Sequence, residues 1–198
     1  LGAINPKMKG LTDLGRTMAA FPIDDPGQSK MILSARDYGC VKPVVTIVAF
    51  LSVRSVFARP KDREKEADEA HKKFKNPTSD ALTSLNVWNA YVKNGATDEW
   101  CYANYLQPEA LVEVAQIRDQ LFEILEDEKV ELSDSNDNAV IAKAVAMGLA
   151  YNLLQSAKGH SFQGVMRRTP QVYVHPGSAI RDSEPQWIVA IEIFETSR

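Results

Sequence analysis

Residues 100–125, WCYANYLQPEALVEVAQIRDQLFEIL, carry the longest unambiguous helix pattern in the chain. Pro108 lacks the amide hydrogen that a first helical turn leaves unpaired in any case, so a helix can open there. Leu111, Val114, Ala115, Leu121, Phe122 and Leu125 then recur at the i, i+3, i+4, i+7 spacing of one apolar stripe. Glu109, Glu113, Gln116, Gln120, Glu123 and Asp127 fall elsewhere on the surface. Arg118 stands where the rhythm asks for a seventh apolar side chain. A guanidinium does not lose its charge in a protein, so Arg118 either reaches a partner within a packed bundle or lines an opening that receives a polyanion.

At 198 residues and 44% hydrophobic content, the chain can form one large domain or two modest ones. Its most apolar run, residues 41–57, is shorter than a membrane span and contains Arg54, so it reads as a helix buried inside a bundle rather than in lipid. Cys40 and Cys101 form no CxxC pair and no disulfide framework, which fits a reducing compartment. There is no signal-peptide pattern. The chain opens on Leu1 and closes on Thr196-Ser197-Arg198, and is expected to be a piece of something longer.

The net charge of −3 conceals a segregation of charge along the chain. Residues 109–137 are crowded with Asp and Glu against only Arg118 and Lys129. Residues 138–181 contain neither Asp nor Glu, yet include Lys143, Lys158, Arg167, Arg168 and Arg181. Such a run reads either as chance or as one positive face suited to phosphates.

In chain order, residues 1–22 predict one short helix, capped by Thr12 with Leu11, Leu14 and Met18 inward, as the tail of a small domain. After the Asp24-Asp25-Pro26-Gly27 turn comes a helix over 30–38, and Pro43 opens the buried one. Residues 59–75 are of mixed charge and predict a solvated helix. Ser79 caps a helix over 79–92 with Leu82, Leu85, Trp88 and Val92 inward, ended by Asn94-Gly95. A further helix uses Val140, Ile141, Ala144, Val145 and Leu149, so the chain should be helical to about Ser156. Beyond Lys158-Gly159, residues 162–168, 171–174 and 187–194 read as short strands. The fold class is thus mainly α: a helical bundle followed by a small β-barrel-like module, too short to be complete within this chain. In that module Arg167 and Arg168 close a strand before the Thr169-Pro170 turn, and alternation sends them to opposite faces. Phe162, Tyr173 and Trp187 are either its core or stacking platforms for bases.

Residues 68–71 spell Asp-Glu-Ala-His, the name-giving motif of a helicase class. They follow Glu64-Lys65-Glu66-Ala67 instead of a hydrophobic strand, and no G-x-x-x-x-G-K-[ST] loop exists to hold Mg²⁺-ATP, so the match reads as coincidence. His71, His160 and His175 share no metal-ligand spacing, and there is no G-x-S-x-G. No catalytic residue and no metal ligand is expected in this stretch.

Other residues resemble the C-terminal region of the DEAH-box RNA helicases, closest to the pre-mRNA-splicing members. Leu1-Gly2-Ala3, Leu11-Thr12-Asp13-Leu14-Gly15-Arg16 and Met18-Ala19-Ala20-Phe21-Pro22 are similar to the end of the winged-helix domain. Leu51-Ser52-Val53 through Phe57, Arg59-Pro60, Ala67-Asp68, Leu82-Thr83, Leu85-Asn86-Val87, Trp100-Cys101 and Arg118-Asp119-Gln120-Leu121 resemble the helical ratchet domain. VYVHPGS at 172–178 and Pro185-Gln186-Trp187-Ile188-Val189 resemble the OB-fold. The implied domains are 1–25, 26–156 and 157–198.

The resemblance implies an RNA-binding accessory region that closes a single-stranded RNA channel over RecA-like domains of the parent chain. The parent would use ATP and Mg, whereas this stretch needs no cofactor of its own. A nuclear location, a role in splicing and no membrane association are implied as well. Lys158, Arg167, Arg168, Arg118 and Tyr173 are the expected RNA contacts. The alternative is a protein-docking module that recruits an activator of the glycine-patch type and binds little RNA itself. Two departures from the family pattern, Glu109-Ala110-Leu111 and Asp80-Ala81-Leu82-Thr83, remove groups that would lie near RNA or a neighbouring domain.

Overall fold

The computed structural model describes residues 1–7 and 9–194. Its architecture is mainly α, eight helices among the described residues followed by a small antiparallel sheet. A two-residue ribbon, β1 (Ile4–Asn5) against β2 (Gly10–Leu11), opens the chain. Helix α1 (Asp13–Ala20) begins where the Thr12 hydroxyl accepts the Gly15 amide at 3.0 Å, satisfying one orphan donor of the first turn. Met18 is buried as expected, but Leu11 sits in the ribbon and is exposed.

Helix α2 (Pro26–Asp37) starts at the Asp25 cap, earlier than the apolar spacing alone indicates. Helix α3 (Val41–Ser52) opens at Val41, two residues before Pro43. It is buried nearly all round because α2, α5 (Asp80–Lys93), α7 (Pro108–Asp127) and α8 (Asn138–Gly148) pack about it. Helices α2 and α8 cross closely through two glycines, Gly27 and Gly148. A Cβ on Gly148 would stand 2.3 Å from the Gly27 carbonyl oxygen and 2.4 Å from Met31 Cγ, so only hydrogen fits.

Helices α4 (Glu64–Lys72) and α6 (Asp98–Ala103) complete the bundle. The solvated helix expected over 59–75 is confined to α4, and the Asp68–His71 tetrapeptide lies on it rather than after a strand. There Arg59 holds Asp68 through hydrogen bonds of 2.8 and 2.9 Å, while His71 Nε2 donates to the Tyr105 carbonyl at 2.9 Å. Both groups tie α4 to its surroundings. The Ser79 hydroxyl caps α5 as expected, but Val92 on its last turn is exposed.

Two apolar clusters share α3 and α7. One gathers Met31, Ile32, Val44, Ile47, Leu121, Leu125 and Ile141; the other gathers Phe50, Phe74, Trp88, Cys101, Leu106, Leu111 and Val114. The first two turns of α7 therefore serve the second cluster, through Leu111 and Val114, and its last turns the first, through Leu121 and Leu125, with Arg118 between them.

The helical expectation to Ser156 is corrected by the structure. Helix α8 stops at Gly148, a 3-10 turn covers Ala150–Asn152, and Leu153–Ser156 is strand β3. With β4 (Ser161–Gly164), β5 (Val172–Tyr173) and β6 (Trp187–Val189) it forms an antiparallel sheet ordered β5-β4-β3-β6. The sheet is open: among the described residues β5 and β6 do not pair, so no barrel closes. Residues 195–198, the end of the expected β-module, lie outside the described residues. Leu154 and Phe162 are buried on one face of the sheet. The long β5–β6 connection is anchored on the bundle: Asp80, in the first turn of α5, accepts Ser178 Oγ at 2.6 Å and the Ala179 amide at 2.7 Å.

Candidate nucleic-acid surface and the Arg118 cleft

Residues directly opposed in an antiparallel pair share a face, and so do alternate residues along one strand. The pairs Gln155↔Trp187, Gln155↔Gln163 and Ser161↔Tyr173 therefore put Trp187, both glutamines and Tyr173 on the same side of the sheet. Trp187 is 47% exposed and Tyr173 64%, whereas Phe162, on the other side, is core. Two aromatic rings thus stand outward with amides between them.

Lys158 is exposed in the β3–β4 turn, whose backbone is held by the Ser161 hydroxyl donating to the Lys158 carbonyl at 2.7 Å. It lies at the Tyr173 end of β4. The arginine pair lies at the other end, about 13 Å of strand away. Arg167 and Arg168 do not close a strand: β4 ends at Gly164, Arg167 belongs to the bend that follows, and Arg168 comes directly after it. The bend is tight because Gly164 has no Cβ. One built there would meet the Arg167 carbonyl oxygen at 2.2 Å, and the Gly164 amide donates to Thr169 Oγ1 at 2.8 Å. Arg168 is exposed. Arg167 is half-buried, its guanidinium 5.4 Å from the centre of the Tyr151 ring and its Nε without a hydrogen-bond partner among the described residues.

The positive character of this module is not uniform. Glu184, from beyond the acid-free run, pairs with His160 Nδ1 at 2.7 Å in the turn that holds Lys158. Linear charge patterning does not show this, because it arises only from the return of the chain between β5 and β6.

Arg118 is set apart from these residues, on α7 between the two helical clusters. Its Nε donates to Thr46 Oγ1 at 2.8 Å, and the same hydroxyl donates to the Lys42 carbonyl at 2.9 Å. The guanidinium carbon lies 4.5 Å from the Trp88 ring centre and 4.8 Å from that of Phe122. The partner is thus a threonine hydroxyl with two aromatic faces, not the carboxylate or helix-end carbonyl that a buried charge suggests. Burial pulls the Arg118 pKa down, and nearby Asp119 and Asp134 pull against that. The side chain lines a cleft of about 270 Å³ together with Lys42, Asn89, Asp134, Asn136 and Asn138.

Comparison with known proteins agrees with this architecture. Residues 1–23 match the winged-helix part of the helicase associated domain (HA2), and residues 25–84 match its ratchet-like part. These matches, with the relative that follows, support a C-terminal, helicase-associated region of a DEAH-box RNA helicase. It is 32% identical over 193 residues to the pre-mRNA-splicing factor ATP-dependent RNA helicase prp22 of Schizosaccharomyces pombe. That alignment covers 95% of this chain and 16% of the relative's length. No helix among the described residues is long and apolar enough to cross a membrane.

Proposed function

We propose that this region holds single-stranded RNA against the motor domains of its parent chain, closing the channel through which the strand passes. The observation that carries the proposal is the exposed pair Tyr173 and Trp187 on one sheet face, with cations at both ends of β4. An aromatic face stacks on any base and a basic rim follows the phosphates, so such a surface grips a strand without reading its sequence. Lys158, Arg167 and Arg168 contact phosphates, and Tyr173, joined by Trp187, stacks on bases.

The relative's printed name supports a place in pre-mRNA splicing, hence in the nucleus, for the parent, which supplies the RecA-like domains and uses ATP with Mg. Glu109 and Glu113 are exposed on α7, so the sheet contributes more of the grip than the ratchet helix does.

The test is binding of labelled oligouridylate at several salt concentrations. Replacing Arg167 and Arg168 together by Ala should weaken binding and flatten the log K against log salt slope by about 0.7 per lost phosphate contact. An unchanged slope with an intact fold would remove the RNA path from this sheet. It would favour instead a module that docks an activator protein of the glycine-patch type.

A further inference from the structure

The Arg118 cleft has the parts of a recognition site, and its surroundings restrict what enters it. Trp88 and Phe122 hold the guanidinium plane and Thr46 takes its Nε, but its two Nη groups have no hydrogen-bond acceptor among the described residues. Asn89, Asn136 and Asn138 line the same cleft, and their side-chain amides have no side-chain partners among the described residues. The exposed Lys42 adds a second positive charge. A fork of donors fixed in advance loses little freedom on meeting a planar, two-oxygen anion.

A polyanion fits badly. Asp134 stands in the cleft, Asp119 follows Arg118 on the helix, and Glu131 and Asp137 flank the loop that forms one wall. A strand of phosphates laid here would bring each further charge against Asp119, Glu131 or Asp137, whereas a single anion meets two cations, Arg118 and Lys42, against the Asp134 carboxylate that lines the cleft. The volume, about 270 Å³, is slightly below the range of about 300–1,000 Å³ usual for drug-sized ligands, room for one acidic side chain and its adjoining backbone.

We propose that the cleft docks an extended protein segment through one Asp or Glu carboxylate. The carboxylate pairs with the Arg118 Nη groups, and the asparagine amides take up the segment's backbone. This site does not depend on the RNA reading of the sheet, and the two fail separately.

The experiment follows the Arg118 Nε–H and Trp88 indole signals of the nitrogen-15-labelled chain during titration with the capped tripeptide Gly-Asp-Gly. Gly-Asn-Gly and oligouridylate serve as comparison probes. The expected result is that the aspartyl peptide moves both signals at millimolar concentration and the asparaginyl peptide binds at least about tenfold more weakly. Arg118→Gln should abolish the effect. Asn89→Ala, on an exposed part of α5, should weaken binding several-fold, and keeps the test decisive if the Arg118 variant does not fold. Equal response to the two peptides, or none, overturns the proposal. So does oligouridylate that moves the same signals and displaces the peptide, which would assign the cleft to the RNA path.

Discussion

The helical bundle and the sheet are built on different balances of burial and tethering. In the bundle α3 is enclosed by four helices, and Met31, Ile32, Ile47, Leu121, Leu125 and Ile141 are almost wholly removed from water. In the sheet only Leu154, Phe162 and Ser161 are buried, while Tyr173 and Trp187 face outward. The bundle is therefore stable by packing. The sheet depends on backbone pairing and on attachments such as the Asp80 contact. A surface meant to bind something else has to leave its aromatic groups uncovered, and the sheet shows what that costs in core.

This contrast is broken most directly at Leu125, which closes the first cluster. Leu125→Ala should lose about 4 kcal/mol and unfold the chain as a unit in a urea titration. Phe162→Ala should instead melt the sheet while most of the far-ultraviolet helical signal persists. Loss of both together would show that the two regions share one core.

Gly148→Ala comes next, at about 3 kcal/mol, because its Cβ would be driven into Gly27 and Met31 at the α2–α8 crossing. Thermal unfolding of the variant measures it. A neutral result would mean that these helices slide apart without penalty.

Arg118→Ala should destabilise by about 2 kcal/mol, the worth of one charge-assisted hydrogen bond and its aromatic contacts. That is less than the 3–5 kcal/mol typical of breaking a buried ion pair, and denaturant titration separates the two.

The smallest effect is on pH. Burial pushes the thiols of Cys40 and Cys101 up to about 11 from an ordinary 9.0. Between those values the unfolded chain has lost protons that the folded chain keeps, so stability is unaffected below pH 9 and falls as pH rises through this window. The loss should be about 1 kcal/mol per thiol at pH 10, seen as a lower unfolding midpoint than at pH 8. At pH 8 both thiols should resist alkylation until the chain unfolds.

The same contrast governs how much could be read from residues alone. Helix α7, the Thr12 and Ser79 caps and the buried α3 are legible because local spacing and tertiary packing agree on them. Leu153–Ser156 misleads because Leu149, Leu153 and Leu154 continue a helical spacing, and only pairing with β4 and β6 makes a strand of them. Arg167 and Arg168 leave the strand for a reason equally remote from propensity, the close approach of Gly164 to the Arg167 carbonyl. For the site, the basic run identifies the right module but not the Glu184–His160 pair that interrupts it. Arg118 is conspicuous in sequence as a flaw in a stripe, yet its partners, Thr46 and Trp88, lie on other helices.

The Asp80–Ser178 bond also orders events in time. It joins residues 98 positions apart, whereas β3 and β4 pair across a short turn. A hairpin of that kind forms in roughly 1–10 μs, but a contact across so long a chain waits on much costlier closure. The hairpin can therefore exist before it has a seat. Until the first turn of α5 has formed and presented its carboxylate, the β5–β6 connection lacks this hold on the bundle, and the module's attachment through it becomes a late step in folding.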